Sequence, residues 1–218
     1  MRSPSRPWRL PIAAVAALVS LSAPSARADD APSVEAPAGP ASAAAPAPWA
    51  ANATLGVSLP RPLSLEALVV KRRASDPRFF HFGFGAGVEY LPKGIAQFGP
   101  KTDFSWLQIG VDGRWFPWRW AFVGARLGWQ SSRTDSEKFG SEVDYITTSF
   151  FFAPRAGVLH AFSNGITIGG DLGATIPFAG DTKLESDGTE DSGARKASKT
   201  FGLFIMPFVS LFRIGYTL

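Results

Sequence analysis

The chain has 218 residues and no cysteine, and its 22 Lys plus Arg against 18 Asp plus Glu give a formal net charge of +4 at pH 7. The lack of cysteine excludes disulfide bonds and an acylated-cysteine anchor, so stability must come from packing and closure. Four of the arginines lie in residues 1–28, and the remaining 18 basic residues equal the 18 acidic ones. The basic balance therefore does not indicate nucleic-acid binding.

Residues 1–28 have the three parts of a secretory signal peptide. Three arginines precede an apolar core at 10–21, and Ala-Arg-Ala at 26–28 supplies a small-x-small cleavage site. The alternative, a transmembrane anchor, is disfavoured because a core of 12 residues is too short to span a bilayer. We therefore expect export and cleavage after Ala28.

Residues 29–50 have the composition of a linker, with nine Ala and five Pro among 22 residues. Such a segment cannot bury a hydrophobic core, and its prolines favour extended conformations. We expect a disordered Ala/Pro-rich tether here, followed by one folded domain at 51–218.

The folded domain divides into stretches in which apolar and polar side chains alternate with the period of a β-strand. Eight strands are predicted, at 51–59, 63–72, 79–91, 104–116, 119–130, 143–162, 166–178 and 200–218. Two assignments stay open, because 65–73 also suits an amphipathic helix and 200–206 a short helix before Pro207. No stretch has 18 consecutive apolar residues, so no transmembrane helix is expected.

Strand 79–91 shows the alternation most clearly. Its apolar face carries Phe80, Phe82, Phe84, Ala86, Val88 and Tyr90. Its small and polar face carries His81, Gly83, Gly85, Gly87 and Glu89. A soluble β-protein buries its apolar face, whereas a membrane barrel turns that face toward lipid and lines its lumen with the polar one. This strand alone fits either arrangement.

The connections between the predicted strands alternate in length. Short connections lie at 75–78, 117–118 and 163–165, long ones lie at 92–103, 131–142 and 179–199, and the short one at 60–62 is an exception. Outer-membrane barrels have short periplasmic turns and longer external loops. The alternation therefore favours a membrane barrel, in which eight strands place both termini on the periplasmic side.

Aromatic residues cluster where the predicted strands end, as in an interfacial girdle. The predicted girdle consists of Trp115, Trp118, Trp120, Trp129 and Tyr216. The last five residues, Ile-Gly-Tyr-Thr-Leu, resemble the C-terminal signature of bacterial outer-membrane barrels. Over 51–218 the layout resembles the small eight-stranded outer-membrane β-barrel family.

The resemblance implies an all-β fold, an eight-stranded antiparallel up-and-down transmembrane β-barrel in a bacterial outer membrane. It also implies two partners, outer-membrane lipid and the barrel-assembly machinery, which would bind the C-terminal strand. It implies no particular activity, because the family includes anchors, adhesins, weak pores and a few lipid-modifying enzymes.

If the apolar faces meet lipid, four acidic residues and four arginines face the lumen. This predicted lumen charge network comprises Glu66, Glu89, Asp112, Asp171, Arg114, Arg126, Arg155 and Arg213. An eight-stranded barrel is narrow enough for side chains to fill it, and unpaired buried charges are costly, so we expect salt bridges across the lumen. The expected function is a structural or weakly permeable barrel with external contact loops and with no enzymatic activity, cofactor or metal.

The two histidines add one alternative function. His81 is expected to be a hydrogen-bonded lumen residue, and the pair lacks metal-ligand spacing. His160, Ser163 and Asn164 are similar to the His-x-Ser-Asn motif of outer-membrane lipid A deacylases, but with one residue too many between His and Ser. A general base must reach its nucleophile, and the extra residue makes this contact harder. A lipid-modifying hydrolase is therefore kept as an alternative and not as the main prediction.

A further alternative is a soluble periplasmic protein of lipocalin type, which binds an apolar ligand inside the barrel. It requires the Phe80 face of strand 79–91 to point inward. The charged residues on the opposite faces of the strands argue against this arrangement.

Overall fold

Eight long strands close into a barrel in the computed structural model, which describes residues 47–76, 79–97, 102–138, 141–184 and 192–218. The predicted signal peptide and nearly all of the predicted tether lie outside the described residues, and both stay predictions. Within the described part of the chain, no helix is both long and apolar enough to cross a bilayer.

The strands follow one another around the barrel in chain order. They are β1 (Trp49–Leu59), β2 (Leu63–Arg72), β3 (Phe80–Gln97), β4 (Thr102–Trp115), β5 (Ala121–Lys138), β6 (Ser141–Ala161), β7 (Ile166–Leu184) and β8 (Met206–Thr217). One helix, α1 (Ser192–Leu203), lies between β7 and β8. Neighbouring strands pair antiparallel, and β8 pairs with β1 to close the ring. The predicted eight-stranded up-and-down barrel is therefore confirmed.

A large stagger between the strands sets the shape of the barrel. Stepping from Trp49 through the residues paired across each successive strand returns to β1 at Leu59, ten residues further along. In an eight-stranded barrel the strands tilt by about 35–45°, and side chains fill the interior. Each residue along a strand then rises roughly 2.5 Å along the barrel axis.

The side chains that point outward form an apolar belt, whereas those that point inward are mostly polar. Along β1 every second residue is buried, and the buried positions include Asn52, Thr54 and Ser58. The belt includes Leu55, Val111, Leu127, Leu172 and Leu211, all exposed. This polarity is the reverse of a soluble protein and overturns the lipocalin-like alternative.

A β-bulge at the start of β3 reverses the two faces there. Arg72 pairs with Phe80 and Lys71 pairs with Phe82, so His81 is the extra residue of the bulge. Phe80 turns into the barrel and is 1% exposed, while His81 faces outward and is exposed. The predictions that Phe80 faces lipid and that His81 lines the lumen are wrong, because the bulge shifts the alternation by one residue.

On one side of the barrel the strands continue beyond the apolar belt. β1, β2 and β8 have 10 to 12 residues, whereas β5, β6 and β7 have 18 to 21. A membrane-crossing strand needs about 9–11 residues. The extra length lies opposite the short turns and forms what we call the outer wall, made of 92–97, 102–105, 131–138, 141–149 and 179–184. The wall rises roughly 20 Å above the belt.

The predicted external loops are therefore largely strand. β3 and β4 cover most of 92–103, and β5 and β6 cover nearly all of 131–142. β7 and α1 together occupy much of 179–199. The loop predictions are wrong because these segments are polar on both faces, so no alternation marks them as strand.

The structure also decides the two open assignments and moves the start of β1. The segment 65–73 is strand as far as Arg72, and α1 extends through 200–203 before β8 begins. β1 begins at Trp49, inside the predicted tether. Trp49 joins the barrel because it pairs with Lys71 and packs edge-on against Phe82, with ring centroids 5.3 Å apart.

Candidate functional site

The barrel encloses all eight charged residues predicted for its lumen, and each is at most 5% exposed. One strand, β4, contributes two of them, and every other strand from β2 to β8 contributes one. They are Glu66, Glu89, Asp112, Arg114, Arg126, Arg155, Asp171 and Arg213. The stagger of the strands brings these inward positions to similar heights near the middle of the belt, so the side chains meet.

Glu66 lies at the centre of this cluster. Arg114, Arg126 and Arg213 each form a short ion pair with its carboxylate. Arg155 Nη1 lies 3.0 Å from Glu66 Oε1. A carboxylate buried this deeply is tolerated only with close cationic partners, and Glu66 has four.

The other acids join the same arginines into one network. Arg126 Nη1 donates to Glu89 Oε1 at 2.8 Å. Asp171 Oδ1 accepts from Arg213 Nε at 3.1 Å, and Asp171 Oδ2 lies 3.1 Å from Arg155 Nη1. Every acid of the network contacts at least two arginines. The lumen is thus filled by a single ionic cluster.

A fifth arginine enters the lumen from the β1–β2 connection, and the sequence analysis missed it. Arg61 is 1% exposed, and it donates from Nε to Glu89 Oε2 at 2.7 Å and from Nη2 to Thr175 Oγ1 at 3.2 Å. Its guanidinium lies over the Trp106 ring, 4.9 Å from the centroid. The network therefore holds five arginines against four acids, an excess of one positive charge.

The short connection that contains Arg61 is the feature of the sequence that could have indicated its position. Residues 60–62 read Pro-Arg-Pro, which is too short for an external loop and cannot continue a strand ladder. An arginine fixed at the barrel mouth is long enough to bury its stem and direct its guanidinium toward nearby carboxylates. Strand periodicity gives no information about a residue in such a connection.

An apolar plug fills the lumen at the end with the short turns. It consists of Ala50, Leu68, Val70, Phe80, Phe116, Phe122 and Leu159, all at most 5% exposed. The Phe116 ring centroid lies 5.5 Å from that of Phe80 and 5.6 Å from that of Phe122. Packed side chains of this kind leave few voids as large as water, so the plug closes this end.

At the opposite end α1 packs against the inward side of β5, β6 and β7, and we call it the helical cap. Gln130 Nε2 donates to the Gly202 carbonyl at 3.0 Å, and the hydroxyls of Thr147 and Ser198 are hydrogen-bonded at 3.0 Å. A Cβ at Gly202 would lie 2.2 Å from Thr147 Cγ2, so the helix backbone packs directly on β6. The cap is joined to the wall by polar contacts and by close packing.

The predicted girdle residues face outward at two heights. Trp115, Trp118, Trp120 and Tyr216 lie at the short-turn end, and each is more than half exposed. Trp129 lies eight residues further along β5 than its first residue, which places it roughly 20 Å higher. The five residues therefore divide between the two edges of an apolar band about 25 Å tall.

The exterior and the interior of this closed ring have opposite polarity. At the height of the charge network the outside presents large aliphatic side chains such as Val111, which is 63% exposed. The strands pair all the way round, so the ring has no open sheet edge to expose to hydrocarbon. The chain is an eight-stranded transmembrane β-barrel. In outer-membrane barrels such short turns lie on the periplasmic side.

No protein-family model and no curated protein sequence matches this barrel. Similar solved structures include Acinetobacter baumannii CarO, at 12% identity and a TM-score of 0.40 over 78% of this chain and 97% of that chain. A major outer membrane protein from Thermus thermophilus has 15% identity and a TM-score of 0.47 over 78% and 98%. Neisserial surface protein A has 15% identity and a TM-score of 0.40 over 78% and 94%.

The structure does not bring His160 and Ser163 into a catalytic arrangement. His160 lies near the end of β6, where its ring packs edge-on against Phe162 with centroids 4.6 Å apart. Ser163 is exposed in the turn closed by the hydrogen bond from Gly165 N to Phe162 O at 3.0 Å. Among the described residues no hydrogen bond joins the two side chains, whereas a general base must reach its nucleophile.

The outer wall carries a second, smaller charge cluster beyond the apolar belt. Lys93 Nζ lies 2.5 Å from Asp135 Oδ2, and Arg133 bridges Asp135 and Asp144. Burial raises the pKa of the Asp135 carboxyl, but hydrogen bonds from Lys93 and Arg133 outweigh it and hold the pKa below its ordinary value. Burial and the neighbouring Asp135 carboxylate raise the pKa of Asp144. Asp135 therefore holds the negative charge of the pair more readily.

Proposed function

We propose that this protein is a sealed, structural outer-membrane barrel that presents its outer wall as a contact surface. The observation that supports the proposal is that buried side chains occupy one lumen at three successive heights. The apolar plug, the charge network and the helical cap follow one another along the barrel axis.

The charge network is the strongest of the three obstacles to an ion path. An ion crossing it must displace arginines and carboxylates that hold one another at hydrogen-bond distance. Removing one partner from a buried ion pair leaves the other uncompensated, at a cost of about 3–5 kcal/mol. The plug below it adds an apolar barrier, which disfavours hydrated ions of either sign.

A second candidate, a weak anion-favouring leak, is supported by Arg61. This residue supplies the excess positive charge and is attached to the β1–β2 connection rather than to a strand. A lumen with five arginines and four acids would attract anions over cations. Single-channel recording distinguishes the leak from a sealed barrel.

The test is conductance of the purified full-length protein in planar lipid bilayers in potassium chloride. The sealed barrel gives no steps above those of the lipid alone. Steps that favour chloride and disappear in Arg61→Gln would support the leak instead. The control is Lys183→Gln, which removes an exposed charge of the outer wall and leaves the lumen unchanged. Steps that persist in Arg61→Gln would contradict both candidates.

The proposed contacts follow from the three outer surfaces. Outer-membrane lipid surrounds the belt, the outer wall faces the exterior, and β8 offers the barrel-assembly machinery its C-terminal strand. Tyr216 in that strand and Leu218 directly after it are both exposed. Export and cleavage after Ala28 complete the proposal, and N-terminal sequencing of the mature protein tests that site.

A further inference from the structure

A cleft of about 800 Å³ lies on the periplasmic rim and takes no part in closing the lumen. It is bounded by the chain before β1, by the end of β2, by the start of β3 and by the end of β4. The residues that matter for its chemistry are Lys71, Arg72, Arg73, Ser75, His81 and Trp115. No acidic side chain lines the cleft among the described residues, so its charge is one-sided.

Arg73 fixes the shape of this cleft. Its Nε donates to the Phe80 carbonyl at 3.0 Å, and its Nη2 donates to the carbonyls of Phe116, in a short bond, and of Trp118 at 3.3 Å. These bonds tie the β2–β3 connection to the β4–β5 turn. The cleft is therefore held by the backbone of two turns rather than by loose side chains.

Lys71 directs its charge to the boundary between lipid and water. Its ammonium lies 5.8 Å from the Trp49 ring centroid and 5.6 Å from that of Phe82. The stem lies on the outward face of β2, and the aromatic rings hold the charged end by cation–π attraction. Such a side chain presents a positive charge where lipid headgroups lie.

The position of the cleft along the barrel axis places it level with the edge of the apolar belt. It shares the rim with Trp115, Trp118 and Tyr216, which lie at the periplasmic edge of the belt. Phosphodiester groups of the inner leaflet lie at this height, and clusters of Lys and Arg beside a membrane bind anionic headgroups. Ser75 adds a hydroxyl donor, and the Trp115 ring offers an apolar surface to the glycerol and the upper acyl chain.

We infer that this cleft binds the phosphate of an anionic phospholipid of the inner leaflet, with Lys71 as a principal contact. The acyl chains run along the belt beside Trp115. The site rests on the orientation of the barrel in the membrane and is independent of lumen closure, so conductance and lipid binding test separate statements.

The experiment measures retention of phosphatidylglycerol by the detergent-purified full-length barrel in native mass spectrometry. The wild type retains one lipid. Lys71→Gln lowers retention about fivefold, which is the effect expected from losing one cation at a membrane surface. Lys71→Arg restores retention. Arg119→Gln is the matched control, because Arg119 is an exposed cation of the same rim that does not line the cleft.

A second pair of variants covers the case in which Lys71→Gln fails to assemble. Ala74 is an exposed residue of the cleft, so Ala74→Glu adds a carboxylate there while Ala74→Gln adds the same bulk without charge. Only Ala74→Glu lowers lipid retention. Equal losses in Arg119→Gln and Lys71→Gln would overturn the site, as would equal losses in the two Ala74 variants. Displacement of the lipid by millimolar inorganic phosphate would contradict a phospholipid as the ligand and would indicate a site for free anions.

Discussion

The belt and the outer wall are made from the same strands but face different surroundings. Within the belt, side chains alternate between lipid and a charged lumen, as at Val111 and Asp112 on β4. In the wall, consecutive residues of β5 such as Ser131 and Ser132 are both polar and both buried. The same backbone therefore carries two different sequence patterns.

The difference shows what the alternation records. A strand between hydrocarbon and a polar interior must place apolar and polar side chains on opposite faces. A strand with water outside and a polar helix inside has no such requirement. α1 supplies that polar inner surface through its contacts with Gln130 and Thr147. The alternation of apolar and polar residues in the sequence therefore marks the parts of the strands that lie in the belt, and it does not mark every β-strand.

The largest expected effect of a single carboxylate change is in the lumen. Glu66→Gln removes a charge that four arginines share, which leaves those guanidinium groups undercompensated and costs about 3–5 kcal/mol. The urea midpoint of the folded, heat-shifted gel band measures it. Asp181→Asn, at an exposed carboxylate of the wall, should leave the midpoint unchanged. Equal midpoints for the two variants would show that the network is not the stabilising centre of the barrel.

The free-energy cost of an arginine on the outer surface should differ between the belt and the wall. Val111→Arg puts a charge in the middle of the belt and costs about 2–4 kcal/mol, whereas Ile95→Arg, near the base of the wall, costs roughly 0–1 kcal/mol. Both side chains are about 60% exposed in the wild type, so burial does not explain the difference. Unfolding in lipid vesicles measures both, and similar costs would place the wall inside the membrane.

Most of the belt could be predicted from the sequence because its two faces differ in polarity. The eight lumen charges were found in this way, since each occupies an inward position of a regularly alternating strand. The network around Glu66 then follows from closing the ring. Their partners could not be predicted individually, because the pairing of Arg155 with Asp171 depends on the stagger between strands.

The failures occur where one residue or one connection departs from the regular ladder. Phe80 turns inward because His81 is an extra residue in the bulge, and the aromatic run around it looks regular in either register. Arg61 reaches the lumen from a connection, where strand periodicity gives no information. Most of α1 falls in the predicted loop at 179–199, because only its contacts with the wall distinguish a helix from a loop.

The smallest expected effect concerns Asp135 and Asp144, which pair across β5 and β6 in the wall. The folded-state pKa of Asp135 is lowered, so its stabilisation is present above the ordinary pKa of Asp, about 3.9, and is lost as the pH falls through the lowered value. The pKa of Asp144 is raised, so its contribution is favourable only at low pH and is lost as the pH rises through the raised value.

Asp144→Asn should therefore strengthen amide protection of the wall at pH 7, while Asp135→Asn should weaken it. Near pH 3, where Asp144 is largely protonated, Asp144→Asn should match the wild type. Hydrogen exchange at the ends of β5 and β6, corrected for the intrinsic rate at each pH, measures both. If both variants lost protection equally at pH 7, the two carboxylates would be equivalent partners of Arg133, and the wall would share its negative charge evenly rather than concentrate it on Asp135.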